Sequence, residues 1–222
     1  MTRVKICGIT RLSDARLAVE LGAAALGFIF VPDTPRYALR DADTSSEVSR
    51  TLAALPPFVE RVCVVDSLDR VSALVAPGFS AVQFYSGGDD EGMPHDRKRI
   101  RAFRLAEEGD LDAMAEEIGR SPAARYADAY LLDAKHPSLL GGTGRTFDWR
   151  LARRAQERFG KPVVLAGGLN AENVGEAIAE ARPYAVDLSG GVETSPGRKD
   201  PEKLRAFFAA VCEADRRLGE RP

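Results

Sequence analysis

No apolar run in this 222-residue chain approaches the roughly 18 residues that a membrane-spanning helix requires. Strand-like sequence begins at about residue 3, which leaves no room for a signal peptide. Cysteine and histidine are scarce. Cys7, Cys63 and Cys212 are an odd three without metal-type spacing, and His95 and His136 stand far from them, so neither a disulfide framework nor a metal site is expected. A basic block is missing as well, because 31 basic and 33 acidic residues are mixed along the chain for a net charge of −2, which argues against nucleic acid as a partner. The expectation is a cytoplasmic protein with no membrane association. With 45% hydrophobic and 29% charged residues it has enough apolar content to build a core without staples. No internal linker or low-complexity stretch divides it, so residues 1–222 are read as a single domain.

What is present is alternation. Eight short apolar, β-branched runs, at 3–7, 25–31, 58–65, 81–84, 100–105, 127–133, 162–166 and 184–188, are separated by longer stretches of helical period. Runs such as Leu26-Gly27-Phe28-Ile29-Phe30-Val31 are hydrophobic throughout, as strands buried on both faces are. The helices carry punctuation. One starts near Thr10 or Ser13, buries Ala15, Ala18 and Val19 and stops at Gly22. Asp148 caps another that ends before Gly160, Asn170 caps a third, and Asp200-Pro201 opens the last. Residues 86–98 read as a loop. Polar, glycine-rich segments follow strands one, two, six, seven and eight, whereas an open doubly wound sheet concentrates its site at one switch point. The fold class predicted is therefore α/β, a single-domain (β/α)8 TIM barrel with eight parallel strands.

Chemistry belongs at the C-terminal ends of such strands. Cys7 ends the first, where a thiol can act as base or nucleophile if cations or helix N-termini help it ionise, although a buried cysteine is more often a small hydrophobe. Asp133 ends the sixth, where a carboxylate is costly unless paired, hydrated or used, and where partial burial would suit a proton donor; a loop cap is the plain alternative. His136, in the same loop, is a rival. The turns Ala166-Gly167-Gly168-Leu169-Asn170 and Asp187-Leu188-Ser189-Gly190-Gly191 follow strands seven and eight, the usual phosphate position of these barrels, and glycine lets backbone N–H groups approach phosphate oxygens. Gly141-Gly142-Thr143-Gly144-Arg145 is long enough for a lid. Arg36, after strand two, can pair with a substrate carboxylate or be an ordinary surface residue.

Taken together these segments resemble a known family. Lys5-Ile6-Cys7-Gly8-Ile9-Thr10, Gly27-Phe28-Ile29-Phe30 with Pro35-Arg36-Tyr37, Leu132-Asp133-Ala134, Phe147-Asp148-Trp149, Leu165-Ala166-Gly167-Gly168-Leu169 and Pro196-Gly197-Arg198-Lys199-Asp200 are similar, in the same order, to segments of phosphoribosylanthranilate isomerase. The likeness is weakest at 41–57 and 86–118. It implies an Amadori rearrangement of a phosphorylated substrate in tryptophan biosynthesis, without cofactor or metal, by a monomer or homodimer. In that scheme Asp133 is the acid and Cys7 the base. Arg36 would hold the anthranilate carboxylate, Asp187 would contact sugar hydroxyls, and Gly167, Gly168, Ser189 and Gly190 would surround the phosphate. Tyr85 stands where the family commonly has histidine, and Gly190 where a second serine is usual.

Three other readings compete. A Schiff-base aldolase would use Lys5 or Lys135. A sugar isomerase of the histidine pathway carries aspartate where Cys7 stands. A silent barrel would bind a phosphorylated metabolite without turning it over.

Overall fold

A computed structural model describes residues 1–70, 78–86, 97–135 and 146–219. The strands are β1 (Arg3–Cys7), β2 (Ala25–Ile29), β3 (Glu60–Ser67), β4 (Ala81–Ser86), β5 (Lys98–Leu105), β6 (Ala129–Ala134), β7 (Val163–Leu165) and β8 (Ala185–Leu188). They form a closed barrel in chain order, every neighbouring pair parallel. Closure is made by β1 against β8, with Lys5 opposite Asp187 and Ile6 opposite Leu188, and this rules out the open sheet. Around it lie α1 (Leu12–Glu20), α2 (Ala42–Ala54), α3 (Gly109–Arg120), α4 (Pro122–Arg125), α5 (Arg150–Phe159), α6 (Val174–Ala181) and α7 (Pro201–Gly219).

The period of two along each strand divides the apolar residues between two cores. Val4, Ile6, Leu26, Phe28, Cys63, Val65, Val82, Phe84, Leu132 and Leu165 point outward and join the helices in one large cluster. Ala102, Leu131, Val164, Ala166 and Ala185 fill one side of the barrel interior, and Cys7, Val62, Val64 and Ala81 the other. By the same alternation Lys5, Gln83, Arg104, Asp133 and Asp187 face inward.

The helix boundaries modify the expected capping. At α1 neither Thr10 nor Ser13 caps; the Leu12 N–H is taken by Glu47 Oε1 at 2.9 Å, a carboxylate that comes from α2. Val19 is only half-buried, and Asp14 is buried instead. Asp148 accepts from the Arg150 N–H at 3.1 Å, and Gly160 ends α5 in the left-handed conformation. Asn170 caps the turn that leads into α6, by accepting from Glu172 and Asn173. Asp200 caps α7 with Pro201 at its first position. The expected loop at 86–98 yields to β5 from Lys98 onward, and residues 87–96 lie outside the described residues, as do His136 and the Gly141–Arg145 segment.

One element was not expected. After β8, a short 3-10 turn (Gly190–Val192) leads into a hairpin, β9 (Glu193–Ser195) and β10 (Arg198–Lys199), whose register shifts at its second strand. It folds over the C-terminal end of β1. Thr10 Oγ1 donates to Gly197 O at 2.6 Å, and the Lys199 N–H donates to the buried Asp14 Oδ2 at 2.9 Å. Asp14→Ala would leave that N–H buried without an acceptor, so a loss of about 1–3 kcal/mol of stability is expected in urea unfolding. An unchanged midpoint would show that the hairpin is not held from α1.

Candidate active site

Five inward-facing polar side chains converge at the C-terminal mouth: Cys7 from β1, Tyr85 from β4, Arg104 from β5, Asp133 from β6 and Asp187 from β8. Tyr85 bridges the two groups that the sequence singled out. Its ring packs in the cluster that contains Cys7, and its hydroxyl lies 3.5 Å from Asp133 Oδ2. Cys7 and Asp133 thus lie at one mouth with Tyr85 beside both.

Asp133 is 7% exposed. Burial, reinforced by the negative charge of Asp187, pushes its carboxyl up from 3.8 to about 6; the Ala134 N–H on Oδ1 at 2.9 Å, Arg104 and Tyr85 oppose this more weakly. A carboxyl so placed keeps its proton up to about pH 6. Cys7 is pushed the same way, above the ordinary thiol value of 9.0, because burial outweighs the nearby ammonium groups of Lys5 and Lys199. Ionisation of this thiol would need help from cations or helix N-termini; cations are there, but desolvation is the larger effect.

Gly27 explains how the thiol fits. A side chain on Gly27 would place its Cβ 2.8 Å from Cys7 Sγ and 3.1 Å from Lys5 Nζ, so β2 leaves the room that β1 fills. Below the thiol, Lys5 Nζ bonds Asp187 Oδ1 at 2.8 Å, both groups buried. Burial works against the Lys5 charge, yet Asp187 and Cys7 outweigh it and hold the ammonium above 10.5. Lys135 also stays above its ordinary value, bonded at the exposed surface to Asp110. A Schiff-base lysine needs a lowered pKa, so neither nominee has the electrostatics of an aldolase.

Arg36 is not an ordinary surface arginine. Its Nε and Nη2 form a fork onto the buried Glu193, with Nη2 to Oε2 at 2.7 Å, while Nη1 has no partner among the described residues. Glu193 also binds Lys199 Nζ at 2.8 Å, and that ammonium reaches Cys7 O at 2.6 Å. Burial alone would raise Glu193; Arg36 and Lys199 reverse this and lower it. The hairpin therefore ties the arginine to the backbone of the thiol. No role for Glu193 or Lys199 was legible in the sequence, since one that depends on a hairpin folding back has no periodic signal. Arg104 was missed too, although counting by twos from Ile100 and Ala102 places it inside.

The glycine turns meet at the same mouth. Gly167 adopts φ +89°, and a Cβ there would fall 2.6 Å from Ala134 N and 3.1 Å from Asp133 Oδ1, so the turn after β7 sits directly on β6 beside Asp133. Gly168 O accepts from Asn173 Nδ2, Ser189 Oγ lies 3.3 Å from Lys199 Nζ, and Gly190 opens the 3-10 turn. No group of three metal-ligating side chains occurs among the described residues, and none of their helices is long and apolar enough to cross a membrane. A hollow of about 650 Å³ lies at the opposite end of the barrel, lined by Arg3, Phe58, Asp128 and Tyr184 among others, away from the convergent groups.

Comparison with known proteins adds the decisive observation. Residues 4–210 match the family model described as N-(5'-phosphoribosyl)anthranilate isomerase. The chain belongs to the phosphoribosylanthranilate isomerase family. The Citrifermentans bemidjiense protein of that name is 44% identical over 215 residues, covering 94% of this chain and 96% of its own. The crystal structure of the Thermotoga maritima phosphoribosylanthranilate isomerase superposes with a TM-score of 0.75 at 37% identity, over 96% of this chain and all of that one. Another isomerase structure, in complex with reduced 1-(o-carboxyphenylamino)-1-deoxyribulose 5-phosphate, superposes at 0.72 with 34% identity, over 96% of this chain and all of that one. As a member of this family the chain is an aldose–ketose isomerase of tryptophan biosynthesis, and the barrel expected from its strand pattern is the one these isomerases share.

Two measurements check the site. Gly27→Ala should displace the thiol and lower isomerase activity by about 100-fold with an unchanged circular dichroism spectrum; full activity would mean that the placement of Cys7 is unimportant. Asp133 holds its proton more tightly folded than unfolded, so the folded state loses stability as pH rises from 3.8 to about 6. That difference corresponds to about 3 kcal/mol above pH 6. Asp133→Asn should abolish this decline and raise the neutral-pH melting temperature. A variant less stable than wild type at pH 7 would contradict it.

Proposed function

We propose that Asp133 and Cys7 are the acid and the base of the family's Amadori rearrangement, converting N-(5-phosphoribosyl)anthranilate into 1-(2-carboxyphenylamino)-1-deoxyribulose 5-phosphate. The observation that carries this is a buried carboxyl still protonated near pH 6 across one mouth from a buried thiol. Asp133 acts first. Its proton goes to the ribose ring oxygen, the C1–O bond breaks toward that oxygen, and C1 becomes a protonated imine. The new positive charge acidifies the C2–H and favours a thiolate beside it. Cys7 then takes the C2 proton to give an enolamine, which tautomerises to the aminoketone.

Electrostatics support this order. With the Asp133 carboxyl at about 6 and burial pushing the Cys7 thiol up, few free molecules hold a protonated acid and an ionised base together. A base needed only after a cation has formed avoids most of that deficit. Lys5 and Lys199 supply the remaining positive field.

The rest of the substrate has matching partners. Arg36, held by Glu193, offers its open Nη1 edge to the anthranilate carboxylate. Asp187 has Oδ1 on Lys5 and leaves Oδ2 for a sugar hydroxyl. Backbone donors around Gly167, Gly168, Ser189 and Gly190 receive the phosphate, and the absence of a second serine at Gly190 weakens that grip without removing it. The complexed relative binds a reduced phosphorylated product of this kind. Every group named comes from one chain, so a monomer or a homodimer would serve, and a cytoplasmic location is part of this reading.

Loss of phosphoribosylanthranilate fluorescence tests it. Cys7→Ser and Asp133→Asn should each lower kcat by about 100- to 10,000-fold. In wild type kcat/KM should climb to a break near pH 6 and stay level until the thiol titrates. Full turnover by either variant, or a lysine adduct trapped by borohydride, would sink the assignment.

A further inference from the structure

The mechanism leaves one cation at the mouth unused. Arg104 follows Ile100 and Ala102 on the inner face of β5 and is the register partner of Asp133 on β6, so the two side chains enter the mouth side by side. Its guanidinium lies over the Tyr85 ring, Cζ 5.1 Å from the centroid, and its Nε is buried without a hydrogen-bond partner. Two other arginines are matched. Arg36 is forked onto Glu193, and Arg101, on the outer face of β5, bonds Glu117 of α3 at 2.9 Å. Arg104 has no ion pair among the described residues.

A partly buried guanidinium beside a carboxyl would ordinarily close onto it in a two-bond fork. That contact would hold Asp133 ionised and leave it no proton to give. Stacking on an aromatic face is the alternative an arginine has and a lysine largely lacks. Tyr85, which takes the place of the family's common histidine, supplies that face, and its hydroxyl touches the same carboxyl.

We propose that Arg104 is a positioning residue of the isomerase reaction: the Tyr85 ring holds it short of Asp133, where it takes up the carboxylate charge as the proton leaves for the substrate. This rests on the acid role given to Asp133 above. When the Oδ2–H bond breaks and the proton passes to the ribose oxygen, the carboxylate left behind faces Arg104 from β5, the Tyr85 O–H from β4 and the Ala134 N–H on its own strand. Asp187 from β8 opposes it, and Gly167 after β7 brings no charge. Among the described residues, Arg104 is thus the cation that faces Asp133 from these neighbouring elements, and its attraction grows as the proton departs.

Carboxyl-carbon NMR titration of Asp133 in the full chain, read beside kcat, KM and the low-pH break of kcat/KM, tests this. The neutral variants Arg104→Met and Arg104→Gln differ in shape, so one that folds suffices. Either should raise the Asp133 midpoint and the break together by about 1 pH unit and lower kcat about tenfold with little change in KM. Tyr85→Leu, which removes the stacking face, should move the midpoint the other way as the guanidinium closes onto the carboxylate. A midpoint that stays put in the neutral variants would overturn the proposal, and so would a higher KM at unchanged kcat. Absence of isomerase activity in wild type would instead refute the functional reading, leaving the titration to judge Arg104 by itself.

Discussion

The pair between Lys5 Nζ and Asp187 Oδ1, at the seam where the first and last strands close the barrel, is the interaction on which the site depends. Two charges buried this deeply are tolerable only together. Their union also sets the fields at the mouth. The ammonium lies beside Cys7 and opposes its rise, while the carboxylate raises Asp133. One ion pair thereby pushes both reacting groups toward the protonation states their proposed roles require. Breaking it by removing either partner would strand a charge inside the barrel and reverse one of those effects.

A second layer of control comes from outside the eightfold pattern. The β9–β10 hairpin brings Glu193 and Lys199 over the end of β1, and from there Glu193 grips Arg36 while Lys199 grips the Cys7 carbonyl. Asp14 on α1 holds the hairpin in turn. A substrate carboxylate meeting Arg36 would therefore act on a side chain already oriented, with the entropy of that long arm removed before binding. The same connection gives the helix layer a mechanical link to the thiol's backbone.

Much of this was legible in the chain itself, for reasons that differ by residue. The parallel sheet was legible in near-continuous apolar runs, because strands buried on both faces favour apolar side chains throughout. Cys7, Asp133 and the paired glycine turns could be placed because strand ends in a parallel barrel share one rim. Glu193 and Lys199 could not, since their roles arise from a hairpin whose two strands total five residues, too short to show a period. The helix caps failed locally at α1 for a related reason: the acceptor for Leu12 is Glu47, which arrives from a different helix.

The amino-acid sequence alone settles the architecture and the family, because the period of hydrophobicity and the order of polar strand ends are properties of the chain read in one direction. It does not settle charge states. The raised carboxyl of Asp133, the raised thiol of Cys7, the stacking of Arg104 on Tyr85 and the shared anchor of Arg36 all depend on which groups from distant strands lose water together and how near they then stand. Desolvation and Coulomb attraction act across space, and only the closed barrel determines those distances.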